Sequence, residues 1–349
     1  MKKSPKLPKL PKLPLRKKKV LRKQITTDTI EDHREEVLAQ GRKFKYPFQY
    51  AKHKLVISTI LIGLAAAVVF VGFGWIQLYK LQSTSDILYR FTRVIPLPVA
   101  KVDDENVRFS DYLMIFKSSM TALEMQEGAL TGSEIGNVWR NQYKRQALDS
   151  AVEFAYALKL ARELGIEITR EQIVEAEKEH RTVGGVERSE ESFTKIIAAN
   201  FGLSVGEYER LLLLSLSRRA VAVAIDEEAD KTSMEVEKLL AQNKGNFTEV
   251  AESLGEQVEY EQTDELVSMM NLDGGRAAAA YVLEAGGWSR RFLSRNGDGY
   301  YFVKLVAKGD GQVRYESLRV AFGEFDRRLG KLKEEGRVRE FITIRQTGE

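Results

Sequence analysis

The feature that most constrains this chain is an uninterrupted apolar run, LVISTILIGLAAAVVFVGFGWIQL, from Leu55 to Leu78. It contains no charged residue and is flanked by Lys54 and Lys80. As a helix it extends about 36 Å, enough to cross a hydrocarbon core about 30 Å thick. The run therefore predicts a transmembrane helix over residues 55–79. A cleaved signal peptide starts near the N-terminus, and a buried core helix rarely has so long an uncharged run.

Charge is distributed unevenly on the two sides of this run. The residues before Leu55 include 17 Lys/Arg and 5 Asp/Glu, whereas the remainder has 37 Lys/Arg and 45 Asp/Glu. Because cytoplasmic flanks carry the excess of Lys and Arg, the N-terminal side is predicted to be cytoplasmic. Residues from about 80 onward are then extracytoplasmic. The expected location is the plasma membrane, with a single crossing and lipid contact through Leu55–Leu78.

The first 54 residues are predicted to be a disordered, basic, cytoplasmic tail. They open with KSPKLPKLPKLPLRKKK, and the repeated Lys-Leu-Pro favours an extended, polyproline-like chain. Three interpretations stay open: a ligand for a proline-binding groove, an electrostatic contact with anionic lipid or nucleic acid, or a topogenic tail whose charges hold orientation. Anionic lipid is a candidate partner of the tail, and no nucleic-acid partner is expected.

Several kinds of chemistry are excluded by what the chain lacks. It has no cysteine, which excludes disulfides, thiolate nucleophiles and cysteine-ligated metal sites. Its histidines are His33, His53 and His180, so a centre built on several histidines is excluded beyond the apolar run. His180 lies among charged residues on a predicted helix and is assigned to a solvated face. We expect no metal and no cofactor, and assign no catalytic residue.

Beyond the membrane segment the pattern is first helical and then mixed. We expect a connecting helix over about 81–92, a short strand or turn over 100–107, and helices from Phe109, where Ser110 and Asp111 are cap candidates. Later helices have Thr169 as a predicted N-cap and Gly202 as a predicted C-cap. From about Met234 short helices and strands alternate, including a hairpin with Asn-Gly and Asp-Gly in its turn.

The predicted fold class is α+β: a transmembrane helix, a mostly helical domain, and a small α+β domain with a short antiparallel sheet. The predicted segments are the tail (1–54), the transmembrane helix (55–79), a connector (80–97), the helical domain (98–230), the α+β domain (231–322) and a C-terminal helix and tail (323–349).

Two stretches of the helical domain resemble a known family. AKVDDENVRFSDY, and later SEESFTKIIAANFGLSVGEYERLLLLSLSRR, are similar to the N-terminal chaperone domain of SurA/PrsA-type foldases. The step before the last helix of that domain is matched by Gly202, Leu203, Ser204, Glu207, Tyr208 and Arg210. The resemblance implies a chaperone that binds unfolded or nascent exported polypeptides.

The α+β domain resembles the parvulin type of peptidyl-prolyl isomerase. The similar segments are Gly245–Ala251, Ala280–Ser289 and Gly299–Leu305. Parvulins have two core histidines, but Tyr301 occupies the closing-strand position and no histidine follows His180. The resemblance therefore implies a degenerate parvulin. A further hypothesis is that Tyr315–Phe322 fills the place of the missing opening strand, with Leu318 or its neighbours replacing a histidine.

The candidate peptide-binding groove consists of Met269, Met270, Tyr281, Phe292 and Tyr301, since methionine adapts to irregular ligands. The same five residues also fit the core of a small domain. The leading hypothesis is a membrane-anchored extracytoplasmic chaperone or foldase without efficient isomerase chemistry. The alternatives are an active peptidyl-prolyl isomerase, and a non-enzymatic scaffold of the cell envelope that binds one fixed partner.

Overall fold

The computed structural model describes residues 27–45, 47–127, 134–183, 186–271 and 273–344. The chain divides into two compact units, Met1–Gly72 and Phe73–Glu349. The Lys-Leu-Pro repeat lies outside the described residues, so its predicted extended conformation stays a prediction.

Helices form the described part of the first unit, where α1 spans Thr27–Lys45 and α2 spans Pro47–Trp75. The predicted disorder of residues 1–54 is therefore wrong for residues 27–45 and 47–54. Strong helix formers dominate α1, and its charges run from acidic near the start to basic at the end, which suits the helix dipole. Within the described residues one helix, Lys54–Lys80, is long and apolar enough to cross a membrane. None of its most apolar 18-residue stretch is buried.

The second unit begins at Phe73, within the last turn of α2, and continues with a π-helical turn, Ile76–Lys80. Its described helices are α3 (Asp86–Val94), α4 (Phe109–Glu127), α5 (Glu134–Leu164), α6 (Arg170–Arg181), α7 (Glu190–Phe201), α8 (Val205–Ile225), α9 (Glu227–Gln242), α10 (Phe247–Leu254), α11 (Arg276–Tyr281) and α12 (Glu324–Glu334). Its described strands are β1 (Pro98–Val102), β2 (Glu105–Arg108), β3 (Thr182–Val183), β4 (Val186–Glu187), β5 (Glu259–Gln262), β6 (Val267–Ser268), β7 (Phe292–Leu293), β8 (Gly299–Gly309), β9 (Gln312–Ala321) and β10 (Val338–Glu340).

Local capping sets the ends of the helices in the first half of this unit. Thr169 caps α6 in a capping box with Gln172, and Ser204 caps α8 in a second box with Glu207. Gly202 ends α7 with φ +63°, a left-handed conformation that glycine adopts without steric cost. The predicted caps at Thr169 and Gly202 are confirmed.

The start of α4 differs from the prediction that Ser110 or Asp111 would cap it. The helix already begins at Phe109, so both residues lie in its first turn. Asp111 instead accepts two hydrogen bonds from Arg210, at 2.8 Å from Nη2 and 3.3 Å from Nε. A bidentate pair of this kind has strong geometric preferences, so it fixes α8 against α4.

The α+β part is built on an antiparallel sheet with the strand order β5-β9-β8-β7, and β6 pairs with the far end of β9. Side chains of β8 alternate between its two faces, as the period of a strand requires. One face, which includes Phe302 and Leu318, packs against α9 and α10, whereas Val303 and Leu305 pack against α11 on the other face. The predicted hairpin is β7–β8, with Phe292 paired to Tyr301.

β9 lies inside the sheet, as the displaced-strand hypothesis requires. It pairs with β5 on one side and with β8 on the other. Leu318 is fully buried, between Tyr260 of β5 and Phe302 of β8 in the register. An apolar residue at that position therefore completes the core on the α9 side of the sheet.

The C-terminal segment, predicted to be a separate helix and tail, returns to the helical part. β10 pairs antiparallel with β1, and Ala100 is opposite Glu340. Phe325, Ile342 and Ile344 are buried in the helical core. The amphipathic pattern of α12 was visible in the sequence, but its partners, such as Tyr156 of α5 and Arg218 of α8, are more than 100 residues earlier in the chain.

Two other predicted boundaries also shift. The core of the helical part starts before residue 98, because Leu78 is fully buried and Tyr89 and Thr92 are almost so. At the other end α8 stops at Ile225, and α9 already packs Val236 and Leu240 against the sheet. Packing thus separates the helical and α+β parts near Asp226 rather than at residue 230.

Candidate functional site

An apolar groove with a volume of about 850 Å³ lies between the helical part and the α+β part. Helices α6, α7 and α8 form one wall, and the described residues of the loop 269–275 form the other with the adjoining turn of α11. The apolar lining consists of Phe193, Ile196, Phe201, Tyr208, Leu211, Leu212, Met269, Met270 and Ala278.

The helical wall follows from the spacing of apolar residues on two helices. On α8, Tyr208, Leu211, Leu212 and Ser215 recur at intervals of three and four residues and so share one face. The ring of Tyr208 packs edge-on against that of Phe193 on α7, with 5.6 Å between centroids. Phe201 retains 38 % of its surface exposed, so part of its ring is open to the groove.

His180 is exposed, as predicted for a residue on a solvated face, and it also lies at the edge of this groove. Its Nδ1 is 2.6 Å from the hydroxyl of Tyr208. Burial, together with the charges of Arg295 and Arg219, holds the pKa of His180 below its usual value, while Glu179 acts in the opposite direction. The contact with Tyr208 was not predicted, because Tyr208 is 28 positions further along the chain.

The lowered pKa predicts a pH dependence of stability. Because the folded state disfavours the charged ring, the unfolded chain binds the proton first as the pH falls. The stability that depends on a neutral His180 ring is complete above about pH 6.5, the ordinary pKa of histidine. It is lost as the pH falls below that value. In urea titrations of the full chain at about pH 7.5 and 5.5, His180→Gln should show a smaller drop in unfolding free energy than the wild type. Equal drops in the two proteins would contradict this.

The opposite wall is held in place by a buried carboxylate, that of Asp273. Its Oδ2 accepts hydrogen bonds from the hydroxyl of Tyr315 at 2.7 Å and from the amide of Ala277 at 3.0 Å. Its Oδ1 accepts one from the amide of Gly275 at 3.2 Å. These bonds tie the loop that carries Met269 and Met270 to α11 and to the centre of β9.

Charged groups surround the apolar floor. Glu175, Lys178, Glu179, Arg188 and Arg295 all line the groove. Both signs are present, so the rim does not select strongly for one charge on a ligand. Within the described residues, no cluster of three or more His, Asp and Glu side chains is arranged to hold a metal ion.

The five candidate residues from the sequence fall into two places. Met269 and Met270 line the groove. Tyr281, Phe292 and Tyr301 do not line it, and lie instead on or beside the α11 face of the sheet. The rings of Phe292 and Tyr301 stack with 6.2 Å between centroids, and the Tyr301 hydroxyl donates to Asp298 at 3.0 Å.

The helical wall of the groove was not predicted from the sequence. Its signal was the apolar face of α8 together with Phe201 at the end of α7, but such a face is equally consistent with ordinary core packing. What distinguishes the groove is that the face is left partly uncovered at the junction of two parts of the fold.

The groove's helical wall lies within a region that matches a known family. The family model described as the SurA-like N-terminal domain matches residues 48–222, half of the chain. The chain belongs to this SurA-like family. The predicted SurA/PrsA resemblance is thereby confirmed. No curated protein matches the chain. Its SurA-like domain indicates a chaperone-type protein that works outside the cytoplasm.

The residues that carried the SurA-like resemblance have structural roles beside the groove. Gly202 and Ser204 set the sharp step from α7 to α8, and Tyr208 projects from α8 into the groove. Burial would raise the pKa of Glu207, but hydrogen bonds from Tyr89 and Ser204 outweigh it and lower that pKa. Glu207 is thus ionised where it joins α8 to α3. These residues hold the helical wall of the groove in its orientation.

Proposed function

We propose that this SurA-like protein is a membrane-anchored extracytoplasmic chaperone that binds apolar segments of unfolded exported polypeptides in the groove between α6–α8 and the loop 269–275. The observation that carries the proposal is the groove itself. Its volume of about 850 Å³ suits a few side chains of an extended segment. Its floor is apolar, and its charges are at the rim.

The composition of the groove favours a binder of varied sequences. Met269 and Met270 are unbranched and polarisable, so they can repack around different apolar side chains. The exposed ring of Phe201 supplies area without a fixed polar contact. A site of this kind needs no chemistry, which agrees with a chaperone that holds its client.

The membrane anchor is supported by the helix Lys54–Lys80, in which the most apolar 18-residue stretch is not covered by protein in the described residues. Charge asymmetry supports the orientation, because the positive-inside rule puts the basic N-terminal side in the cytoplasm. The groove is then on the side of the membrane where exported chains arrive unfolded.

A matched set of variants tests the groove. Phe201→Glu and Met270→Glu put carboxylates into its apolar lining, whereas Val205→Glu and Met234→Glu change residues of the same exposure elsewhere: 37 % against 38 %, and 54 % against 52 %. Each groove variant should need about tenfold more protein to suppress aggregation of an unfolded client, since desolvating a carboxylate costs more than about 1.4 kcal/mol.

The assay uses the full chain in detergent or liposomes, with light scattering of a denatured client as the readout. The two control variants should retain wild-type activity. If the double variant Phe201→Glu/Met270→Glu suppresses aggregation as well as the wild type, the groove is not the client site.

For the α+β part we propose peptide contact without efficient isomerase chemistry. In support, Tyr301 is buried against Phe292, and Arg276 lies over its ring at 5.2 Å, so no free acid–base group occupies that position. A proline-peptide isomerisation assay tests the alternative that the protein is an active isomerase. An acceleration that Tyr301→Ala removes would establish this alternative. The scaffold alternative requires one stoichiometric partner in crosslinking rather than many clients.

A further inference from the structure

The last turn of the apolar helix is part of the folded second unit. Leu78 is fully buried in the helical core. The hydroxyl of Tyr79 donates to the carbonyl of Pro98 at 2.6 Å, and its ring packs edge-on against Phe109 with 5.5 Å between centroids. One side of the turn Ile76–Lys80 is therefore fixed to β1 and α4.

The other side of this turn carries large apolar side chains that the described fold leaves uncovered. Trp75 is 48 % exposed, Ile76 47 % and Leu81 63 %. Phe341, from the opposite end of the chain, is 43 % exposed, and it lines a hollow of about 370 Å³ with Trp75, Tyr79 and Lys80. An aromatic side chain of the C-terminal segment thus lies beside the point where the apolar helix ends.

Phe341 is held in this outward position by its neighbours. Its amide donates to the carbonyl of Val99 at 2.9 Å, which continues the pairing of β10 with β1. The next residue, Ile342, is 3 % exposed, and Gln82 donates to the carbonyl of Thr343 at 2.5 Å. Ile342 is buried while Phe341 is exposed, so these two neighbouring side chains lie on opposite sides of the backbone.

We propose that Phe341, together with Trp75 and Leu81, inserts into the headgroup region of the bilayer, giving the folded unit a second contact with lipid besides its helix. The occupant is lipid because the patch continues directly from the apolar helix Lys54–Lys80. Aromatic side chains are favoured at membrane interfaces, and the exposed Lys80 amine suits anionic headgroups. This proposal rests on the membrane anchor proposed above.

The absence of native cysteine makes the test direct. Single cysteines are introduced into the full chain as Phe341→Cys, Ile62→Cys in the apolar helix, and Val282→Cys, which is 81 % exposed on the α+β part. Each is labelled with a nitroxide in liposomes of phosphatidylcholine and phosphatidylglycerol. Electron paramagnetic resonance then measures the accessibility of the label to oxygen, which partitions into lipid, and to a nickel chelate, which stays in water.

The ratio of oxygen to nickel accessibility at residue 341 should be severalfold higher than at 282 and lower than at 62. A label at 341 that matches 282 while the label at 62 reports lipid overturns the interfacial contact and leaves the anchor intact. An aqueous label at 62 overturns the anchor and this proposal together. A label at 341 shielded from both reagents also overturns it, because a protein then covers the patch.

A conservative variant guards against misfolding of Phe341→Cys. Phe341→Trp keeps the aromatic character, and its fluorescence in liposomes with brominated lipid should be quenched more than that of the wild type. Equal quenching would contradict the proposal, and circular dichroism checks that both variants fold.

Discussion

Replacing Asp226 with alanine should lower the free energy of unfolding by about 3 kcal/mol. This side chain is 5 % exposed and caps two helices at once. Its Oδ1 accepts from the amide of Ala229 at 3.0 Å, at the start of α9. Its Oδ2 accepts from the amides of Gly323 at 2.8 Å and Glu324 at 3.0 Å, at the start of α12. Alanine removes the acceptor and leaves these amides without their partner near the junction of the two parts.

The measurement is urea unfolding of the full chain in detergent, followed by circular dichroism. Glu228→Ala, an exposed acidic residue in the first turn of α9, is the matched control and should change stability by less than about 0.5 kcal/mol. Asp226→Asn retains one acceptor oxygen and should fall between the two. Similar unfolding midpoints for Asp226→Ala and Glu228→Ala would refute the double cap.

Asp273→Ala should destabilise the α+β part by about 2–3 kcal/mol, because it removes a buried acceptor for the Tyr315 hydroxyl and for the amides of Gly275 and Ala277. It should also weaken suppression of client aggregation, since the loop that carries Met269 and Met270 loses its ties to Tyr315 and Ala277. Tyr315→Phe removes one bond and should cost about 1 kcal/mol. Stability and aggregation suppression are measured on the same preparations.

The combined variant Asp273→Ala/Tyr315→Phe measures how much of the stability comes from the bond between these two side chains rather than from each side chain separately. If the two groups act together, its destabilisation should be smaller than the sum for the single variants. Asp310→Ala, an exposed residue in the β8–β9 turn, is the control for removing a carboxylate from the same sheet. Fully additive losses would show that the Tyr315 hydroxyl does not depend on Asp273.

Features encoded within a few residues could be predicted from the sequence. The caps at Thr169 and Gly202 and the β7–β8 hairpin depend on side chains next to the backbone they control. The apolar helix could be predicted for the same reason, because an uninterrupted run of apolar residues is enough to indicate it. The SurA-like resemblance was found through Gly202, Ser204 and Glu207, which control one helix–helix step.

Features that join distant segments could not be predicted in the same way. The groove requires α8 and the loop 269–275 to face each other, and neither sequence contains information about the distance between them. Met269 and Met270 were predicted as groove residues from their chemistry alone, with Tyr281, Phe292 and Tyr301, which the fold puts elsewhere. The contact of His180 with the Tyr208 hydroxyl was not predicted, because a charged neighbourhood in sequence gives no sign of it.

The pairing of β10 with β1 has a consequence for the order of folding. Ala100 and Glu340 are opposite each other in this ladder, so the ribosome must add more than 200 residues between the two strands. Closing such a long loop is entropically costly and slow compared with forming the local helices. The helical part therefore lacks Phe325, Ile342 and Ile344 from its core until more than 200 residues beyond β1 have been synthesised. During that interval the nascent chaperone exposes apolar surface of its own and resembles the clients it is proposed to bind.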